Sequence, residues 1–330
     1  MASTAAIRRL RPTTVAAAVA AGGIGLGIMS KLLVGNASAE SGAPPKVFGA
    51  GPAFVSLPLE SSEEVNHNTK RLRFKLPQRE AVSGLSLTCE TDDDLTAFNE
   101  TNTEAAAVLT MSWPEGRWLP VARPYTPIQP LDHFLKFSLS CSADRKPDDT
   151  GYLELMVKKY PDGKQSTHLH SLTPGQKLLF ALAIKGHQWK PNSYPHVTLI
   201  AGGAGITPIY QLAQGILRNP EDKTAVTLIF GVNSDQDVLL KKELEQFEKE
   251  FPGRFKAVYT VSNPLPNSPF RKGYVTKGLL QELGAVPEKG AETKVFVCGP
   301  PAMEAALVGK RSAPGVLQQL GYRKDQIHQF

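Results

Sequence analysis

The sequence predicts two folded domains, an antiparallel β-barrel followed by an α/β domain with a parallel Rossmann-like sheet, behind an N-terminal membrane anchor. Length is the first reason, because 330 residues exceed what one hydrophobic core usually fills. The second reason is a change of pattern, from short alternating strands to strands that alternate with helices. The third is an acid-free N-terminal segment with an apolar run. We place the segments at residues 1–45, 46–188 and 189–330.

The N-terminal segment has the composition of a mitochondrial presequence, rich in Arg and hydroxyl residues and without an acid before Glu40. The uncharged run Val15 to Ser30, closed by Lys31, is shorter than the roughly 20 residues that a spanning helix prefers. If Lys31 reaches the interface, residues 15–34 could just cross a bilayer. We expect a mitochondrial address followed by an anchor, with residues 36–45 as a linker; a secretory signal is the less favoured alternative.

Charge and cysteine content exclude several classes of protein. The apolar fraction of 41% and the charged fraction of 21% are ordinary for a globular protein. Four of the six net positive charges precede Glu40, so the remaining chain is only mildly basic. This argues against a nucleic-acid-binding protein and is compatible with an acidic protein partner. The three cysteines lie far apart, and neither a metal motif nor a disulfide framework is predicted.

Short alternating runs predict the strands of the first domain. Leu72, Phe74 and Leu76 alternate with cations, as in a half-buried strand. Further strands are predicted at residues 108–113, 152–160 and 177–182, with Pro and Gly turns between the runs. Because no long helix intervenes, these strands should form an antiparallel sheet or barrel.

Two segments of this domain carry groups suited to phosphates and flat rings. In Arg123-Pro-Tyr-Thr-Pro-Ile128 the prolines stiffen an extended chain, the Arg can contact two phosphate oxygens, and the Tyr face can stack on a ring. In residues 161–169, Gly163 precedes a short predicted helix with Ser166 near its start, which would direct backbone N–H groups at phosphate oxygens. Taken alone, each segment is more simply explained as a proline turn or a capped helix.

A glycine-rich turn opens the second domain. The apolar, β-branched run 197–201 leads into Gly202-Gly-Ala-Gly-Ile-Thr-Pro208, where a helix would begin. A strand that turns through glycines into a helix directs N–H groups and the positive end of the helix dipole outward, which suits a pyrophosphate. The motif indicates a dinucleotide site, although its spacing is not G-x-G-x-x-G, and a plain turn between packed elements is the alternative.

Strands and helices alternate after this turn. The predicted strands are 225–230, 256–261 and 294–298, and the predicted helices are 237–251, 275–283 and one that begins at Pro301. Such connections join parallel strands, and a parallel sheet binds ligands at the carboxyl ends of its strands. Gly202, Asn233, Ser262 and Cys298 follow four strands and should gather at one rim. The C-terminal Phe330 is expected to pack between the domains.

Four segments, in this order and at these intervals, resemble the NADH-cytochrome b5 reductases of the ferredoxin reductase superfamily. They are Arg123-Pro-Tyr-Thr126, Gly163-Lys-Gln-Ser166, Gly202 to Pro208 and Cys298-Gly-Pro-Pro-Ala-Met303. With the N-terminal segment, the fungal mitochondrial type is the most similar, and the resemblance covers residues 47–330. It implies that the barrel binds FAD and the α/β domain binds NADH. It also implies anchorage in the mitochondrial outer membrane and allows a processed form in the intermembrane space.

The resemblance implies roles for individual residues. Arg123 would bind the FAD pyrophosphate, Tyr125 would pack against the isoalloxazine, and Thr126 would lie near its N5 edge. Lys158 would flank the flavin near the nicotinamide nucleotide, and Cys298 would lie beside the nicotinamide without acting as a nucleophile. Tyr125, Thr126, Lys158 and Cys298 form the implied catalytic set. The implied cofactor-binding set is Arg123, Pro124, Tyr125, Thr126, Val157, Lys158, Gly163, Lys164, Gln165, Ser166, Thr167, Gly202, Gly203, Ala204, Gly205, Thr207, Pro208, Asn233, Asp237, Cys298, Gly299, Pro300 and Met303.

The chain departs from the family pattern in the glycine-rich loop and in two insertions. The loop often has Thr where this chain has Ala204, and segments 89–107 and 131–150 are longer than expected. After the third strand of the α/β domain, no acid follows Ser262 until Glu282. A preference for NADH therefore follows from the family and not from charge, since a carboxylate there would repel a 2′-phosphate.

The implied function is hydride transfer from NADH to FAD, followed by single-electron transfer to cytochrome b5 or a similar haem protein. A positive rim for an acidic partner is one interpretation of four lysines, and scattered solubilising charges are the other. These lysines are Lys158, Lys159, Lys164 and Lys185. Two alternative functions remain: a related NAD(P)H-flavin reductase with another acceptor, and a non-catalytic, membrane-tethered nucleotide-binding scaffold.

Overall fold

The computed structural model describes residues 45–48, 52–85, 105–113, 118–128, 151–287 and 292–330. The elements given below belong to one compact unit, Lys46–Phe330. The predicted anchor and most of the two insertions lie outside the described residues. Among the helices in the described ranges, none is long and apolar enough to cross a membrane.

Six antiparallel strands form the first sheet, in the order β4-β3-β6-β1-β2-β5. The sheet curls, because Pro127 after β4 bridges Leu155 in β5 and the Ile128 N–H donates to the Glu154 carbonyl at 3.0 Å. The predicted antiparallel sheet is therefore confirmed, and its edges meet at the segment that follows Tyr125. The elements are β1 (Pro52–Asn66), β2 (Thr69–Lys75), β3 (Ala105–Ser112), β4 (Val121–Tyr125), β5 (Tyr152–Lys158), helix α1 (Lys164–Ser171) and β6 (Lys177–Lys185).

Side-chain alternation builds the core inside this curl. Leu72 and Phe74 are fully buried, as their spacing predicts, and the Phe74 ring meets the Phe180 ring edge-on at 5.2 Å between centroids. Leu155 and Val157 contribute to the same core from β5. Met156 and Lys158, which alternate with these residues along β5, point away from this core.

The second sheet has six parallel strands in the order β10-β9-β8-β7-β11-β14. The predicted α/β domain with a parallel sheet is therefore confirmed. Its strands are β7 (His196–Gly202), β8 (Ala225–Val232), β9 (Phe255–Val261), β10 (Arg271–Lys272), β11 (Thr293–Cys298) and β14 (Ile327–Gln329). Its helices are α2 (Ile206–Arg218), α3 (Lys241–Glu250), α4 (Lys277–Glu282), α5 (Pro301–Val308) and α6 (Val316–Gln319), with a hairpin of β12 (Gly309–Lys310) and β13 (Ala313–Pro314) between the last two.

The order of the strands indicates where a ligand would bind. From β7 the chain moves outward through β8, β9 and β10, and then returns to the other side of β7 with β11. Open α/β sheets bind ligands outside the carboxyl ends of their strands at such a reversal. Gly202 ends β7 and Cys298 ends β11, and Ala201 is paired with Cys298 in the sheet. The glycine-rich turn and the Cys298 loop therefore lie side by side.

Two helices begin later than the periodicity predicts. Helix α3 begins at Lys241 rather than at 237, because Ser234 and Asp237 cap a separate 3₁₀ turn and Leu240 adopts a left-handed conformation with φ of 55°. Helix α4 begins at Lys277 rather than at 275, because the Thr276 hydroxyl accepts the Leu279 N–H at 3.3 Å. In both cases short polar side chains bind backbone groups locally and define where the helix starts.

Candidate functional site: a cleft between the two sheets

Two adjoining cavities of 1040 and 700 Å³ lie between the curled sheet and the parallel sheet. We call the larger one the first cavity and the smaller one the second cavity. Lys158, Tyr160, Gly202 and Pro300 line both cavities, which therefore form one continuous cleft. The second volume lies within the range of about 300–1,000 Å³ that is typical of small-molecule and cofactor sites, and the first lies just above it.

Strand β4 and the residue that follows it supply one wall of the first cavity. Arg123, Pro124, Tyr125 and Thr126 all line this cavity, as the sequence predicts for a shared site. Burial raises the pKa of Tyr125, and the nearby Arg123 charge offsets this only in part. Tyr125 is therefore a neutral phenol at physiological pH and offers a ring face with a hydroxyl at its edge.

The start of α1 supplies a second wall. Gly163, Lys164, Gln165 and Ser166 line the first cavity, and no side chain caps this helix. The Ser166 hydroxyl donates to the Gly163 carbonyl at 2.9 Å and accepts the Tyr160 N–H at 3.2 Å. Because the Ser166 hydroxyl forms hydrogen bonds within the turn and does not cap the helix, the first backbone N–H groups of α1 remain directed outward, as an anion site requires.

The Gln165 side chain anchors α1 to the sheet. Its carbonyl accepts from the Ser112 hydroxyl at 2.5 Å, and its amide donates to the Thr110 hydroxyl at 2.9 Å. Gln165 therefore fixes the position of the turn through its side chain, and its backbone is the part available to a ligand.

Two predicted cofactor residues point elsewhere. Val157 lies with its side chain in the core of the curled sheet, because alternation along β5 turns Met156 and Lys158 toward the cleft instead. Thr167 is exposed and lines neither cavity, and its N–H donates to the Gly163 carbonyl at 2.8 Å. Side-chain contact of Val157 or Thr167 with a ligand in the cleft is therefore not supported by their placement.

The glycine-rich turn packs directly against the loop after β11. A Cβ at Gly202 would lie 2.8 Å from Pro300 Cδ and would also meet Met303 Sδ, whereas a Cβ at Gly205 would meet the Cys298 carbonyl oxygen. Gly203, with φ of 51°, faces open space beside the second cavity. Only glycine allows this close approach together with an exposed backbone, which fits a turn that binds phosphates.

The remaining predicted residues of the α/β domain divide between the two cavities. Ala204, Gly205, Thr207, Pro208, Cys298 and Gly299 line the first cavity, whereas Gly203, Asn233, Asp237 and Met303 line the second. The Thr207 hydroxyl donates to the Ala204 carbonyl at 3.2 Å. The residues at the carboxyl ends of the parallel strands therefore line one continuous cleft, which confirms the sequence prediction that these ends share one rim.

Cys298 has a protonated side chain in this setting. Burial, together with the Glu304 charge, raises the pKa of its thiol to about 12. Nucleophilic cysteines are thiolates with lowered pKa values, so Cys298 is unsuited to covalent catalysis. Its contribution to the cleft is the surface of a small apolar group.

A buried ion pair joins the two sheets at the boundary between the cavities. Lys158 Nζ lies 2.7 Å from Asp237 Oδ1, and the two side chains are 13% and 6% exposed. Asp237 also accepts from the Ser234 hydroxyl at 2.7 Å. Burial opposes ionisation of Asp237, but the hydrogen bonds from Lys158 and Ser234 outweigh it and lower its pKa. Lys158 is therefore not part of a solvent-facing positive rim, unlike the exposed Lys159 and Lys164.

Further contacts fix the sheets relative to each other. The fully buried Gln211 of α2 donates to the Pro127 carbonyl, directly after the Tyr125–Thr126 segment. Arg71 of β2 lies 2.6 Å from Glu243 of α3. Ile128 and Met156 of the first sheet pack into the hydrophobic core of the second. The cleft is therefore a fixed feature of the fold.

Several residues of the cleft were not predicted from the sequence. Tyr160 lines both cavities and is the next residue after Lys158 with the same strand alternation, a signal that could have identified it. His187 and His328 line the first cavity with ring centroids 4.6 Å apart, and burial, with the nearby His328 and Lys294 charges, lowers the pKa of His187 to about 4. Phe330 lines the same cavity, as expected of an aromatic terminus between the domains.

Comparison with known proteins identifies the class. Residues 199–308 match the oxidoreductase NAD-binding domain family, and residues 137–188 match the oxidoreductase FAD-binding domain family. The cytochrome b5 reductase domain of Ulva prolifera nitrate reductase has a similar fold, with a TM-score of 0.63 at 24% identity, over 84% of this chain and 97% of that one. The chain is a flavoprotein oxidoreductase with the two-domain ferredoxin reductase fold and uses FAD and NADH.

Relatives that align over most of their length define the family. NADH-cytochrome b5 reductase 2 of Pyricularia oryzae is 44% identical over 295 residues, covering 87% of this chain and 78% of the relative. The protein of the same name from Emericella nidulans is 42% identical and covers 98% and 92%. The chain belongs to the NADH-cytochrome b5 reductase family.

Proposed function

We propose that this chain transfers electrons from NADH through FAD to cytochrome b5 and that its N-terminal segment anchors it in the mitochondrial outer membrane. The observation that carries the proposal is the continuous cleft, in which the Arg123–Thr126 segment and the glycine-rich turn share the walls Lys158 and Tyr160. When bound, FAD supplies the conversion between a two-electron hydride donor and one-electron acceptors.

The protein's part in the reaction is to hold the two cofactors and align them. Arg123 and the N–H groups at the start of α1 would bind the FAD pyrophosphate, while Tyr125 and Thr126 would contact its ring. The glycine-rich turn would bind the NADH pyrophosphate, and the neutral Cys298 thiol would lie against the nicotinamide. No acid or nucleophile is required of the chain, because alignment of the two rings is its main contribution.

An Arg123→Ala variant tests the phosphate contact. We expect FAD to bind roughly 10- to 100-fold more weakly, because a charged hydrogen bond contributes about 1.5–3 kcal/mol. Dialysis followed by measurement of flavin per protein gives the result. Arg79→Ala is the control, because Arg79 is exposed and lines neither cavity. FAD retention equal to that of the control would contradict the role of Arg123.

Cytochrome b5 as the acceptor is supported by the names of the relatives. The exposed Lys159 and Lys164 border the cleft and would favour an acidic partner through complementary charge. NADH-dependent reduction of cytochrome b5 should exceed that of a ferredoxin under the same conditions. The reverse order would favour the alternative of a related reductase with another acceptor.

The anchor and the mitochondrial address are supported by the composition of residues 1–34. The full chain, imported into isolated mitochondria, should resist alkaline extraction from the outer membrane. A chain that starts at residue 46 should remain in the supernatant. Equal extraction of both forms would contradict the anchor while leaving the enzymatic proposal intact.

A further inference from the structure

The second cavity lies where the adenosine half of a dinucleotide would bind. Parallel sheets of this type hold the pyrophosphate at the glycine-rich turn and the adenosine ribose beyond it, at the ends of neighbouring strands. Gly203 borders this cavity, and Asn233 and Ser262, which follow β8 and β9, line it. An Asp or Glu at such a strand end binds the ribose 2′-hydroxyl and repels the 2′-phosphate of NADPH.

Both strand-end residues are uncharged and fixed in place. The Ser262 N–H and hydroxyl both approach the Val232 carbonyl, at 3.0 and 3.3 Å, and the Asn263 N–H donates to the Asn233 carbonyl at 2.8 Å. The ends of β8 and β9 are thereby tied together. The Asn233 amide can donate a hydrogen bond to a phosphate as well as to a ribose hydroxyl, and neither Asn233 nor Ser262 carries a charge that would repel a phosphate, so neither residue discriminates against NADPH.

The carboxylates near this cavity are engaged or outside its wall. Asp237, the one acid among the described residues that line the cavity, is paired with Lys158. Glu282 is bound by Arg271 and lines neither cavity, and Asp235 accepts the Leu265 N–H at 2.9 Å outside the lining. The charge of the exposed Glu282 is also weakened by salt screening.

Positive charge predominates in the wall itself. Lys158 is paired with Asp237, so Lys159 supplies the net positive charge of the lining. Lys272 is exposed directly before Gly273 and Tyr274, which also line the cavity. A dianionic 2′-phosphate would therefore enter surroundings of opposite charge, which favours binding.

From these observations we infer that the chain oxidises NADPH as well as NADH. The inference rests on the proposed function and widens its class of electron donor. Each NADPH would lose one hydride and become NADP⁺, and its two electrons would reduce two one-electron acceptors with release of one proton. This balance is the same as for NADH, because the 2′-phosphate is remote from the ring that reacts.

Steady-state kinetics with both nucleotides and ferricyanide test the inference. We expect kcat/KM for NADPH within about tenfold of that for NADH, a difference of at most ~1.4 kcal/mol. Ser262→Asp should shift the NADPH to NADH ratio at least tenfold toward NADH. Thr173→Asp adds the same charge at an exposed turn that lines neither cavity, and it should leave the ratio unchanged.

Nucleotide binding provides a readout that does not depend on turnover. Adenosine 2′,5′-bisphosphate should bind the wild-type holoenzyme at least as tightly as ADP in calorimetric titrations, and Ser262→Asp should weaken it selectively. A wild-type preference for NADH of a thousandfold or more, with no binding of the bisphosphate, would overturn the inference. Absence of NADH oxidation by an FAD-loaded preparation would instead contradict the proposed function.

Discussion

Replacing Asp237 with Ala is expected to lower the free energy of unfolding by roughly 3–5 kcal/mol, because removal of one partner leaves a buried charge uncompensated. Lys158, whose side chain is 13% exposed in the intact pair, would lose its 2.7 Å contact. Denaturant unfolding of the FAD-loaded protein at neutral pH measures the change. An exposed pair offers the comparison: Glu245→Ala removes the partner of Lys241 on α3, where both side chains are more than 40% exposed. Its cost should be below about 1 kcal/mol.

The pH dependence of Asp237→Ala has a defined sign. The folded-state pKa of Asp237 is lowered, so the pair stabilises the fold above the unfolded value of about 3.9. This contribution is lost as pH falls through the folded-state pKa. The difference in unfolding free energy between wild type and Asp237→Ala should therefore be full near neutral pH and decrease as the protein is acidified below about pH 4. A difference that does not change with acidification would contradict the ion-pair account.

A Gly205→Ala substitution should reduce NADH-driven flavin reduction by about 100-fold, the effect that a displacement of about 1 Å can have on aligned reactants. The added Cβ would meet the Cys298 carbonyl oxygen, so the glycine-rich turn and the β11–α5 loop would have to separate. Overpacking of this kind also costs about 1–3 kcal/mol in stability. Stopped-flow reduction with NADH and thermal unfolding report the two effects.

Gly253→Ala is the matched control for this steric argument. A Cβ at Gly253 meets nothing within 4 Å and Gly253 lines neither cavity, so the cost is confined to the left-handed backbone with φ of 78°, about 1–2 kcal/mol. Stability should fall modestly in both variants, but flavin reduction should slow much more in Gly205→Ala. Equal reduction rates in the two variants would show that the packing of Gly205 on Cys298 does not position the reacting groups.

Local periodicity was sufficient to predict four of the six strands in each sheet from the sequence. The alternation of Leu72, Phe74 and Leu76 indicates a strand with one buried face, and the apolar run 197–201 indicates a strand that is buried on both faces. Each pattern can be recognised within a single strand, without knowledge of the rest of the fold. The shared rim of Gly202, Asn233 and Cys298 also followed, since parallel strands end on the same side. These predictions depend on one element at a time or on a simple rule of sheet topology.

Contacts between the sheets could not be predicted in this way. Lys158 and Asp237 are 79 positions apart, and their pairing depends on how two different sheets face each other. Helix α3 starts late because Ser234 and Asp237 cap a separate 3₁₀ turn before it. The spacing of apolar residues does not distinguish this turn from the first turn of the helix. The side-chain direction of Val157 was, by contrast, available from the alternation of β5. The family resemblance assigned the whole segment to the flavin site without assigning each side chain to a face.

Anaerobic titration of the purified protein with NADH tests most directly that one cleft holds both cofactors in contact. The untreated protein should be yellow and contain stoichiometric FAD, and an equimolar amount of NADH should abolish the visible flavin absorption within the mixing time of a stopped-flow instrument. A protein that retains FAD but keeps its full colour with excess NADH would contradict the account and would support a nucleotide-binding scaffold without catalysis.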